Sequence, residues 1–272
     1  IFKIIKNHFG IKNIEHILLV ILVITSIDNF FIEANRSSWI ISHTNSPTYF
    51  AKTFALLSVN LLLEKKIFYS ILSLSFTLLM HIKVGWVLVP IFFLYIIFEK
   101  KFRKKIFYII LPLGCALFLA SKEELTGIYE VKKNLFEIAL DRDQIEGAFK
   151  FQPLFKNISL FISFILFYIL NKNKTYLKKF NFVILLISVC LFIFNIIYVE
   201  YLSKIIPDPR VIILGIPRAL ELYETFFWML VLKKILILKT FDNVKIFFIT
   251  GLFFLLFLTI KSLIVSFGIF IF

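Results

Sequence analysis

The side chains able to act on a substrate lie in breaks between long apolar runs. Residues 28–47 hold Asp28, Glu33, Arg36, Trp39 and His43. A carboxylate held against a hydroxyl can take its proton as a general base, and Asp28 and Glu33 are the acids of this break. Arg36, and Lys52 in the apolar run that follows, offer the cationic donors that steady a transferring phosphate. The segment His81-Ile82-Lys83-Val84-Gly85-Trp86 adds an imidazole that titrates near neutral pH and suits proton relay, beside a glycine that permits a tight turn. The same residues also read as a polar helix end with an interfacial tryptophan. Arg218 lies among Pro217, Glu221 and Glu224. Its planar fork fits a phosphate, or it pairs with Glu221 three residues on. Asp141-Arg142-Asp143 has a spacing in which two carboxylates hold a divalent cation; two acids on a charged helix face read equally as solvated surface. That cation is the one cofactor the sequence offers.

The elements that must position these residues follow from composition. Of 272 residues, 60% are hydrophobic and 18% charged, with mean hydropathy +0.92; soluble domains are about 45–50% apolar and about a quarter charged. The expected fold class is therefore all-α, a polytopic transmembrane helix bundle. A crossing helix takes about 20 apolar residues. Apolar runs at 14–31, 47–63, 67–82, 84–98, 106–120, 158–170, 182–199, 212–232 and 246–272 make nine spans. The stretch 67–98 then folds as two short helices turning at His81–Gly85. Basic turns at 64–66 and 99–105 belong in the cytoplasm by the positive-inside rule, and the N-terminal segment, 172–179 and 233–245 share that side. These segments hold 18 of the 31 basic residues and four of the 17 acids, leaving 13 of each outside. The net charge of +14 thus reports orientation in a cell inner membrane and contact with anionic lipid head groups, not a nucleic-acid partner.

Local signals refine the elements. Ser46 and Pro47 read as the N-cap and first residue of a helix running inward, with Lys52, Thr53, Ser58 and Asn60 facing the bundle interior. The extracytoplasmic loop 121–157 is expected to carry an interfacial helix. Ser121 and Glu124 fit a capping box, and Leu125, Ile128, Val131, Leu135, Ile138 and Ala139 recur at helical spacing. Pro207-Asp208-Pro209-Arg210 makes a rigid turn, and Pro217 starts the next helix. Cys115 and Cys190 sit in apolar runs and read as core packing. Lys261 marks the outer end of the last run or faces a cavity. Without a P-loop, dinucleotide fingerprint or His-Glu-x-x-His, nucleotide-driven and zinc-protease chemistries have no support. Beginning at Ile1 and ending in Ile-Phe-Ile-Phe, the chain reads as a single transmembrane domain, 1–272, cut from a longer protein.

An outer carboxylate soon after the first span, a Pro-initiated helix entering the membrane, many short helices and an amphipathic surface helix together resemble polytopic bacterial glycosyltransferases of the GT-C type. Ser46-Pro47-Thr48-Tyr49-Phe50-Ala51 and His81-Ile82-Lys83-Val84-Gly85-Trp86 are also similar to a family of bacterial multi-pass proteins with that layout, over residues 40–235. The resemblance implies a polyprenyl-phosphate sugar as donor, with Asp28 as base or metal-binding residue, Glu33 as second choice, and Arg218 at the donor phosphate. Two functions are open. One is sugar transfer from a lipid-linked donor on the extracytoplasmic side. The other is a non-enzymatic role, as translocator of a lipid-linked or small solute or as a scaffold subunit.

Overall fold

Apolar runs punctuated by short polar turns fold into helices, and no strand occurs among the described residues. The structure, a computed structural model, describes residues 1–26, 47–114, 129–142, 148–151, 154–171 and 176–237. A π-helical turn, Ile4–Phe9, precedes α1 (Ile14–Ser26), α2 (Pro47–Leu63), α3 (Ile67–Met80), α4 (Ile82–Gly85) and α5 (Leu88–Phe98). A 3₁₀ helix at Lys100–Ile109 follows, then α6 (Tyr129–Arg142), α7 (Leu154–Leu170), α8 (Tyr176–Glu200), α9 (Pro209–Ile213), α10 (Ile216–Ala219) and α11 (Glu221–Ile237).

The hairpin of α2 and α3 shows why a polar apolar-run helix forms here. Ser70 Oγ donates to the Ser58 carbonyl (2.7 Å) and Ser73 Oγ to the Phe54 carbonyl (2.9 Å). Hydroxyls this short let two backbones approach closely and satisfy polar groups between them. The large side chains of α3 lie on the opposite side, where Phe68, Tyr69, Leu72, Phe76, Leu79 and Met80 are exposed. The turn between the helices closes with the Lys66 N–H donating to the Leu61 carbonyl (2.9 Å) and the Lys65 N–H to that of Leu62 (3.0 Å). That is the double bond of a helix C-terminus that requires a left-handed residue, and Lys65 supplies it at φ 67°.

The expected break at His81 is present: α3 stops at Met80 and His81 is extended, at φ −160° and ψ 100°. Gly85 is needed because α4 folds back on α3. A Cβ there would lie 2.8 Å from Leu78 Cδ2 and 3.1 Å from the Leu78 nitrogen. Helix α11 is the hub of the bundle, with every residue from Glu221 to Leu232 buried. It packs on the N-terminal turn, α1, α7, α8 and α10; Phe9 meets Phe226 at 5.9 Å and Phe180 meets it at 5.5 Å. A second apolar cluster joins α6, α8 and α9 through Phe136, Ala139, Tyr198, Val199 and Ile212. The Tyr198 hydroxyl accepts from the Asp208 N–H (2.8 Å) and faces the Ile206 and Asp208 carbonyls (2.9 and 3.2 Å).

Several expectations change. The run 212–232 is not one helix: Gly215, at φ 62°, and the end of α10 at Ala219 divide it, because a left-handed residue ends a helix. Pro217 is the second residue of the short α10, and the long helix starts at Glu221. The rigid turn at 207–210 is there, with Asp208 Oδ1 capping the Arg210 N–H (2.9 Å) and Pro209 opening α9. The basic segment after Glu99 is itself helical rather than a bare turn. On α6 the buried face is set by Phe136 and Ala139, while Ile138 is exposed; packing against the short α9 turns that face away from Ile138. Cys190 is exposed rather than core, since α8 presents much of its apolar circumference outward. One described helix, Leu177–Glu200, is long and apolar enough to cross a membrane; shorter apolar helices occupy Phe50–Leu63, Ile67–Met80, Ile82–Phe98 and Lys156–Leu170.

Candidate functional site

Lys52, in the second turn of α2, and Glu221, the first residue of α11, meet inside the bundle. Lys52 Nζ lies 3.7 Å from Glu221 Oε2, with side chains 4% and 8% exposed. The sequence offers Glu221 as a neighbour of Arg218, three residues before it; the structure brings Lys52 of α2 within ion-pair distance of it. Glu221, at the start of α11, is buried where Lys52 of α2 approaches it. Glu224, one turn on, is buried as well, and Thr225 Oγ1 donates to the Glu221 carbonyl (2.9 Å), which takes up a hydroxyl that would otherwise be buried without a partner.

Below this pair, Tyr223 is fully enclosed. Its hydroxyl and Ser163 Oγ on α7 share a hydrogen bond of 2.9 Å, and Phe164 and Phe167 stand 4.9 and 5.2 Å from its ring. The sequence reading missed this contact, since a Ser in an apolar run and a Tyr sixty residues later carry no local sign of each other. The one hint was Glu221, Tyr223 and Glu224 in an otherwise apolar helix.

His81 is half-buried at the α3–α4 break. The helix that follows packs on α2, and Trp86 Nε1 donates to the Leu214 carbonyl (3.3 Å), just before the Gly215 turn that leads to Arg218. The start of α2, the His81 turn and the Arg218–Glu221 segment therefore share one end of the bundle. Of the sequence candidates, the structure gathers Lys52, the His81 turn and the backbone of Arg218 there. Asp28, Glu33 and Arg36, with Trp39 and His43, lie outside the described residues, in the segment that leads into α2. Asp143, Ser121, Glu124, Cys115 and Lys261 also lie outside them. Asp141 is exposed on α6, and among the described residues no three His, Cys, Asp or Glu side chains group to hold a metal ion.

The opposite end carries a second polar group. Asn60 Nδ2 donates to Glu64 Oε1 (2.8 Å), and Lys66 Nζ stands 2.9 Å from Glu64 Oε2. The Lys66 bond, then the Asn60 bond, hold the Glu64 carboxyl below its ordinary value. His8 of the N-terminal turn stands beside them. Burial pushes its imidazole down, and the nearby Glu64 charge and Asn60 only partly offset this. Lys179 Nζ reaches Glu99 Oε2 at 3.0 Å on the same side.

Over its described residues the chain is all-helical, and one described helix is able, by length and composition, to cross a membrane. No family model, no curated protein and no solved structure matches it.

Proposed function

We propose that the chain is a multi-pass membrane protein, with the nine-span topology and cytoplasmic basic turns read from its sequence, that transfers a sugar from a polyprenyl-phosphate donor on the extracytoplasmic side. Membrane residence is supported by polarity that runs inside out. Ser58, Ser70, Ser73, Ser159, Ser163, Asn181 and Asn195 are buried while Phe68, Phe76, Phe161, Ile165 and Phe194 are exposed. Helices in lipid pack through small and polar residues and turn large apolar ones outward. The apolar stretch of Leu177–Glu200 is 39% buried; the core helix of a soluble fold would be mostly covered.

The single observation that carries the catalytic reading is the buried Lys52–Glu221 pair at the end of the bundle where the 27–46 segment enters α2. Ionisable groups at membrane depth are expensive and mark functional sites by default. In this scheme Lys52 and Arg218 steady the donor phosphate, Asp28 takes the acceptor proton, and Glu221 holds Lys52 in place between turnovers. His81 supplies a nearby proton relay. Purified full-length protein in liposomes, offered a polyprenyl-phosphate sugar, should transfer it, and Asp28→Asn and Lys52→Gln should each slow transfer by at least about a hundredfold, the scale of one general base or one oriented donor. Equal transfer by both variants and the parent would refute the scheme.

The enclosure of the pair favours a second reading, that of a scaffold subunit or translocator. Its mark would be a full-length protein that binds no donor while co-assembling with a partner whose stability falls when Lys52 is replaced.

A further inference from the structure

Where α5, α7 and α8 meet, at the end opposite the Lys52–Glu221 pair, lies a groove of about 830 Å³, within the size range of ligand clefts, about 300–1,000 Å³. Its walls are Phe98, Tyr168, Ile169 and Phe182, and Lys178 and Lys179 stand at its rim. The four apolar walls are exposed, and Phe98 and Phe182 face each other at 6.3 Å. The floor is fixed: Asn171 Nδ2 donates to the Lys178 carbonyl (2.9 Å) and its Oδ1 accepts from Asn181 (3.4 Å). The two lysines differ. Lys179 is committed to the buried Glu99 carboxylate at 3.0 Å, which cancels its charge and locks that side of the rim. Lys178 is exposed and makes no ion pair among the described residues, so it carries the net positive charge of the groove. Lys100, Lys101 and Arg103, just beyond Glu99, add to the positive field.

We infer that this groove binds one anionic phospholipid, its phosphate at Lys178 and one acyl chain along Phe98, Tyr168, Ile169 and Phe182. The inference rests on the membrane reading above but not on the transferase reading. An apolar trough alone would take any lipid. The charge complementarity at its rim selects an anionic head group, and the amphipathic lysine stem bridges the two regions. The committed Lys179 explains why a groove with two lysines responds mainly to one. At an anionic surface a basic residue contributes about 1 kcal/mol, or roughly fivefold in affinity.

The full chain, purified in detergent and supplied with equal amounts of dioleoyl-phosphatidylglycerol and dioleoyl-phosphatidylcholine, should retain the glycerol lipid in preference, as counted by native mass spectrometry. Lys178→Gln should cut that preference roughly fivefold, and Lys178→Glu should abolish it. Lys12→Gln, the same charge change on an exposed residue away from the groove, should leave it intact. Neither Lys178 variant touches Glu99 or the core, so both should melt as the parent does. Free inorganic phosphate should not displace the lipid. Equal retention of the two lipids, an unaltered preference in Lys178→Glu, or displacement by phosphate would each overturn the inference. Alkaline carbonate washing of the cell membranes separates the premises: a chain that washes off overturns membrane residence, whereas a chain that stays but shows no preference overturns only the groove.

Discussion

Replacing Lys52 by Met keeps the length of the side chain and removes its charge. Glu221 would then lose the ammonium 3.7 Å from its Oε2 while staying buried, with Glu224 buried one turn away. At an effective dielectric constant of about 20, two unit charges at that separation attract by about 4.5 kcal/mol. The net worth of the pair is smaller, because each ion has given up its hydration. Removing one partner of a buried pair costs about 3–5 kcal/mol, whereas replacing both with apolar groups of similar volume is near neutral or gains about 1–4 kcal/mol. Lys52→Met should therefore destabilise the bundle by roughly 3–4 kcal/mol, and Lys52→Met/Glu221→Leu should recover most of that. Reversible unfolding of the parent, Lys52→Met, Glu221→Leu and the double variant in mixed micelles, followed by tryptophan fluorescence, gives the four free energies needed for a double-mutant cycle. Trp228 on α11 and Trp86 beside Leu214 both report on this end of the fold. The reasoning fails if Lys52→Met lies within about 0.5 kcal/mol of the parent, the range of an unremarkable surface change. It fails equally if the double variant simply sums the two single losses, as independent sites do.

Other expectations follow from single contacts. Gly85→Ala should cost about 1–3 kcal/mol, the range for overpacking, because the new methyl meets the Leu78 side chain and backbone at 2.8–3.1 Å; an unchanged melting temperature would show that α4 can shift away. Lys65→Gly should stabilise the α2–α3 hairpin by about 1 kcal/mol by relieving a left-handed non-glycine residue, visible as a raised unfolding midpoint. Tyr223→Phe should cost about 0.5–1.5 kcal/mol, the net worth of one hydrogen bond, because Ser163 Oγ keeps its bond to the Leu160 carbonyl (2.6 Å); a loss beyond about 3 kcal/mol on thermal unfolding would contradict this. Acidification should loosen the His8–Asn60–Glu64 end. Both groups have folded values below their ordinary ones, about 6.5 for His8 and about 4.5 for Glu64. Their contributions are therefore fully present above those values and lost as pH falls through the lower folded ones. The melting temperature should rise between about pH 4 and pH 7 and then level, and Glu64→Gln should flatten the more acid part of that slope.

Much of the chain's local structure was legible in its residues. The start of α2 at Pro47, the break at His81, the turn at 207–210 and the apolar run 182–199 all come from signals that act over a few residues: ring-locked φ angles, a carboxylate cap, and runs of side chains that cannot be left in water; the helix over that run starts earlier than expected, at Tyr176, and takes in Lys178 and Lys179. The interior polarity of α2 was legible at Lys52, Ser58 and Asn60, which are buried, whereas Thr53, expected to face inward with them, is exposed, since it lies about 100° round the helix from Lys52.

The candidate site was legible only in its parts. Lys52 and Glu221 were each visible, but not their approach to one another, because helical spacing predicts neighbours on one helix and says nothing of a partner 169 positions away on another. Tyr223 and Ser163 went unlinked on the same grounds. Orientation about the helix axis was the other loss. Helix α11 is apolar nearly all round, so no periodic pattern marks an inward face, and only its packing against α1, α7 and α8 makes it the buried hub. Cys190 was misjudged for this reason: apolar composition fixes that a residue avoids water, whereas tertiary packing decides whether it meets protein or the outer surface. What the residues determined unaided was an all-helical, strongly apolar chain with its positive charge concentrated in a few turns. Which helices touch, which charges pair and where a groove opens depended on the assembled bundle, because those are contacts between segments far apart in the chain.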